Sequence, residues 1–182
     1  MTLTRGLISI ALATSLATSL ATPLWAAGSG SSEPKPKTVT CTKGNVFSES
    51  KGKCVPQQDS SLTDRDRIEE LRALAYAGRT AEAQAVLATL TDQNSDQALT
   101  YWGFTHRKLG NVDAGLTFYD KALKQNPNNL LARSYLGQAH VDSGRLDLAR
   151  LQLKEIRNRD GDGGWPEASL EEAIRTGTTF NY

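Results

Sequence analysis

Cysteine and histidine are scarce in this 182-residue chain, which has two of each. There is no Ser/His/Asp or Cys/His arrangement in a recognisable context. Neither a Gly-rich loop after a strand nor a strand run to carry one is present, so no enzyme is expected. Two cysteines are too few for a structural zinc site, and they lack the close Cys-X-X-Cys spacing of a redox pair. Charge of either sign is not in excess, with a formal net charge of +1. Beyond the first 27 residues no apolar run approaches the roughly 20 needed to cross a bilayer.

The first 27 residues have a different character. Arg5 precedes an apolar stretch from Leu7 to Leu20, and Pro23-Leu24-Trp25-Ala26-Ala27 then offers small residues before a Gly/Ser run. This is the layout of a cleaved secretory leader, expected over 1–27. A membrane anchor fits less well, because Ser9, Thr14, Ser15, Thr18, Ser19 and Pro23 interrupt the stretch. No cysteine stands near the junction to take a lipid. Removing 1–27 takes away Arg5 and no acidic residue, so the charge falls from +1 to zero. A neutral product has no overall pull on nucleic acid or anionic lipid, and neither is expected as a partner. The expected product is exported, periplasmic or secreted, without stable membrane insertion.

Residues 28–40 are small, polar and proline-spaced, which suits a flexible tether. Cys41 and Cys54 follow. In an exported protein such an isolated pair reads as one disulfide, whose short loop contributes roughly 3 kcal/mol by chain entropy. Turn signals at Gly44-Asn45 and Lys51-Gly52 flank Val46-Phe47 and give the 41–54 loop a hairpin-like form.

From about Gln97 to Arg157 the chain repeats itself every 34 residues: Gly103 with Gly137, Gly110 with Gly144, His106 with His140, Tyr101 with Tyr135. Apolar residues at helical spacing give the same segments. Ile68, Leu71, Leu74 and Ala75 form one stripe, and Ala83, Val86, Leu87 and Leu90 the next. Leu116, Tyr119, Ala122 and Leu123, then Leu148, Leu151 and Ile156, continue them. Gly78, Gly110 and Gly144 fall at the turn inside each helix pair. The interval from Gly78 to Gly110 is 32, so the junction near Thr91–Ser95 is two residues short. Trp165-Pro166-Glu167 opens a last helix running to about Thr176, with Leu170, Ala173 and Ile174 on one face as a cap.

Leu99, Trp102, Gly103, His106, Gly115, Tyr119, Ala122 and Pro127 occupy the signature positions of a tetratricopeptide repeat, which this stretch closely resembles. His106 stands for the usual Tyr and Gly115 for the usual Ala. The resemblance implies an all-α fold: a short helical solenoid of about 2.5–3 helix pairs over 61–158, with the loop and capping helix over 159–182. It also implies binding rather than catalysis, through a concave groove lined by the first helix of each pair. Carried over by position, that groove would present Gln97, Thr100, Phe104, Arg107 and Lys108, then Leu131, Ser134, Gln138 and Val141. Of these, Thr100, Phe104, Arg107, Ser134, Gln138 and Val141 are the candidate contacts to a peptide or partner helix. The family's clamp for a peptide carboxylate does not carry over, since Thr100, Phe104 and Ser134 stand at its positions.

No cofactor or metal is expected. His106 and His140 hold equivalent places and read as replacements for the packing Tyr. Asn158 to Gly163 imitates the start of a calcium loop, but Ser169 stands where the bidentate Glu belongs. The alternative to a protein-binding scaffold of the bacterial envelope is a glycan- or cell-wall-binding protein using the Cys41–Cys54 loop.

Overall fold

Thr63 starts the helical part of the chain. Its hydroxyl accepts from the Asp66 amide while the Asp66 carboxylate accepts from the Thr63 amide, a reciprocal cap that opens α1 (Asp64–Tyr76). A computed structural model describes residues 39, 41–159, 161 and 163–180. The expected leader (1–27) and, Val39 apart, the tether (28–40) lie outside the described residues, as do Asp160 and Asp162 of the calcium-like loop.

After α1 come α2 (Thr80–Leu87), α3 (Asp96–Lys108), α4 (Val112–Gln125), α5 (Leu130–Asp142), α6 (Leu146–Arg157) and α7 (Trp165–Thr176). Ser95 and Asn129 cap α3 and α5 by accepting from the Ala98 and Ala132 amides. Gly78, Gly110 and Gly144, at φ of 73°, 86° and 70°, make the turn within each pair. The pairs α1/α2, α3/α4 and α5/α6 pack internally, and α1, α3, α5 and α7 also pack in series. The fold is the expected all-α solenoid of three helix pairs and a capping helix, built from tetratricopeptide-like units.

Two glycines set the closeness of the middle pair. A Cβ on Gly103 would stand 2.5 Å from the Tyr119 ring, and one on Gly115 would stand 2.9 Å from the Gly103 carbonyl oxygen. The alanine usual at the second position would therefore press on backbone. The core along this seam holds Leu71, Leu87, Tyr101, Phe104, Tyr119 and Tyr135, all essentially without solvent contact. Each such side chain contributes roughly 1.5–3 kcal/mol by burial. His106 stacks on Phe118 at 5.2 Å and serves as packing, as does buried His140.

One stripe differs from expectation. Leu148 and Leu151 are 40% and 55% exposed; of the expected stripe only Ile156 is buried, and α6 buries Ala149 and Leu153 beside it. The second helix of a pair is covered outside only where a further pair follows, and here the single helix α7 covers one side alone. The short junction is absorbed by α2, which has 8 residues against 14 in α4. The Asp64 carboxylate then accepts from the Thr91 and Asp92 amides, tying the α2–α3 connection to the start of α1.

Upstream, β1 (Asn45–Ser48) and β2 (Lys53–Pro56) form an antiparallel hairpin with Val46 opposite Val55. Cys41 and Cys54 are joined in a disulfide with Cα atoms 5.8 Å apart. Val46, Val55 and Leu62 are buried against the first pair, and the Glu49 amide donates to Asp66 at 3.2 Å. The hairpin thus covers the first helix of the solenoid as α7 covers the last. Both ends need such cover, because each repeat leaves an apolar face for a neighbour.

Candidate functional site

The first helices α1, α3, α5 and α7 stand side by side and form the inner face of the solenoid. A row of rings crosses it. Tyr76 of α1 meets Phe104 of α3 edge-on at 6.2 Å, Phe104 meets Tyr135 of α5 at 4.9 Å, and Tyr135 meets Trp165 of α7 at 6.0 Å. The hydroxyls of Tyr76 and Tyr135 share a hydrogen bond of 2.9 Å. Arg72 donates to the Tyr101 hydroxyl at 3.0 Å. Phe104 and Tyr135 are the floor of this row, while Tyr76 and Trp165 stay half-exposed at its rim.

Beside the rings lies a charged group. The buried Arg107 guanidinium donates to Asp142 at 2.7 Å across α3 and α5. Lys108 lies 5.6 Å over the Phe104 ring. Burial pulls the Lys108 ammonium down to about 8, the Arg107 charge adds to that, and Asp142 opposes it. Burial pushes the Tyr119 hydroxyl up to about 12, against the nearby Arg107 charge.

The six expected contact residues are all buried. Thr100 accepts from the Asn129 side chain in the α4–α5 turn. Phe104 lies under Tyr76 and Tyr135, and Arg107 is taken up by Asp142. Ser134 and Gln138 meet Ser169 of α7, at 2.9 Å for the two hydroxyls, and Val141 packs with Leu170 and Ala173 of α7. In this short array each first helix is covered by the next, and the last by the cap. Side chains that would line an open groove therefore meet helix. Gln97 is exposed, and Lys108 and Leu131 are half-exposed.

The rim residues Arg72, Tyr76, Asp142 and Trp165 were not among the sequence candidates. Counting back from the turn glycines finds three of them. Six residues before Gly78, Gly110 and Gly144 stand Arg72, Phe104 and Gln138; two before stand Tyr76, Lys108 and Asp142. Trp165 carried no such signal, because it belongs to the cap.

A second cleft, of about 230 Å³, lies between the hairpin and the first helix pair, with Lys43, Asn45, Gln57, Glu70, Arg79 and Glu82 among its lining. Burial raises the Glu70 carboxyl, Arg79 opposes that rise and Glu82 adds to it. Phe47 is half-buried, and the hairpin's other large apolar residues, Val46 and Val55, turn into the core. Among the described residues no group of His, Cys, Asp and Glu is placed to hold a metal ion, and Glu167 is engaged by Arg157 and the Gly163 amide.

Helix pairs of this length, joined by glycine turns and stacked in series, define the class of helical-repeat solenoids. Within it, residues 106–169 match the family model described as tetratricopeptide repeat. No curated protein and no solved structure matched the chain. Such repeats generally mediate contacts between proteins.

Proposed function

We propose that this chain is a non-catalytic interaction module of the bacterial envelope, binding an extended segment or a helix of a partner protein across its inner face. The observation that carries the reading is the aromatic row from Tyr76 to Trp165 with Arg72, Lys108 and Asp142 beside it. Rigid rings with a few charged groups of both signs suit a peptide backbone and its side chains. The buried floor residues, Phe104 and Arg107 among them, position the rim. The periplasm is supported by the leader's composition and by the Cys41–Cys54 disulfide, which persists in oxidising compartments.

A photo-crosslinking residue at Tyr76 or Lys108, compared with one at exposed Arg150 or Lys154 on α6, tests this in living cells. The expected result is a discrete protein adduct from the inner face alone. Adducts from α6 with none from Tyr76 or Lys108 would refute the placement of the site.

A further inference from the structure

The inner face is not empty in this structure: the segment that follows α7, as far as Phe180, lies on it. Gly177 closes α7 with φ of 70°, turning the backbone out of the helix. Residues 178–180 then run without helix or strand. The Thr179 hydroxyl donates to Asp142 at 2.8 Å, Lys108 donates to the Phe180 carbonyl, and the Phe180 ring stands 6.3 Å from Trp165. One oxygen of Asp142 takes Thr179 and the other takes Arg107. Arg107 thus holds this carboxylate by an oxygen that the tail does not use.

These are the contacts an extended peptide makes in a groove: a cation to the main chain, a carboxylate to a hydroxyl, ring against ring. They add little to the fold itself. Thr178 is exposed, Thr179 and Phe180 only half-buried, and the α5–α6–α7 core is made by Val141, Ala149, Leu153, Ile156, Leu170 and Ala173. We propose that Gly177–Phe180 is a built-in ligand that keeps the inner face closed, standing in for a partner's extended segment with a hydroxyl residue followed directly by an aromatic one. The inference rests on the interaction reading above and gives it a substrate class and a regulation. A partner must displace the tail, so its affinity is lowered by the fraction of molecules whose face is open. The depressed ammonium of Lys108 agrees with a site covered by the tail.

The test uses a fluorescent peptide of residues 176–182 as probe, with anisotropy as readout. The proteins are the chain lacking the leader, the same chain ending at Gly177, and a full-length version carrying Thr179→Ala and Phe180→Ala. A tethered segment competes at an effective concentration on the order of millimolar, so the intact chain should bind the probe at least about tenfold more weakly than either variant. A probe with Phe180→Ala should lose binding to both variants. Equal binding by all three proteins, or none by variants that keep their helical circular dichroism, overturns the proposal. If the truncated chain unfolds, the double substitution decides; if that unfolds too, the segment is structural and the proposal is overturned. Inner-face adducts in cells without tail competition would leave the interaction reading standing alone. Tail competition without any such adduct would remove that reading and keep the built-in ligand.

Discussion

Replacing Gly103 with alanine tests whether the α3–α4 crossing is as tight as its geometry implies. Alanine in a helix interior is favoured over glycine by about 1 kcal/mol, so propensity alone predicts a more stable protein. Against that, the new Cβ would lie 2.5 and 2.6 Å from two carbons of the Tyr119 ring, where about 3.5–4.0 Å is comfortable. Tyr119 has no solvent contact and lies 6.3 Å from the Tyr135 ring, so the ring has little room to swing. Overpacking of this kind costs typically about 1–3 kcal/mol, and a severe clash lies toward the upper end. The net expectation is a loss of about 1–2 kcal/mol. Urea unfolding should show a lower midpoint with an unchanged slope. Adding Tyr119→Leu should make Gly103→Ala neutral or favourable relative to Tyr119→Leu alone. A single Gly103→Ala variant as stable as the parent, or more so, would refute the argument that helix closeness fixes this glycine.

Asp142→Asn leaves the buried Arg107 guanidinium with a neutral partner and should cost about 2–4 kcal/mol in chemical denaturation, whereas Asp147→Asn on the exposed Arg150 pair should cost less than about 0.5. Reducing the Cys41–Cys54 disulfide should remove roughly 3 kcal/mol of support from the hairpin. Hydrogen exchange should then rise first over β1, β2 and the start of α1, with α3–α6 protected longest. Lys108 has a folded-state value of about 8 against an ordinary 10.5, so between those two pH values the unfolded chain holds more protons. The Lys108 contribution to stability should therefore rise with pH across that window, and the difference between the parent and Lys108→Gln should change accordingly. NMR titration of the Lys108 side chain that found an ordinary value would contradict the burial on which this rests.

Much of the architecture was legible because it is local and periodic. The 34-residue interval, the glycines at Gly78, Gly110 and Gly144 and the apolar stripes fix helix lengths, turns and pairing without long-range information. Pro166 and the apolar face around Leu170 announced the cap in the same way. Leu148 and Leu151 misled because periodicity marks a face as apolar, while burial needs a neighbour to cover it. The six candidate contacts show the converse: their spacing places them on one helix face, and neighbouring helices and the α4–α5 turn cover them.

By itself the amino-acid order determined the repeat unit, its helices and the class of protein, since spacing and glycine conformation act within a few turns of chain. Only tertiary structure decided what the inner face offers. Tyr76, Phe104, Tyr135, Trp165 and Phe180 come from four helices and the tail, and become one row of rings only when those elements stack. The same stacking buries Arg107 beside Asp142 and brings Thr179 to that carboxylate, 37 residues away along the chain.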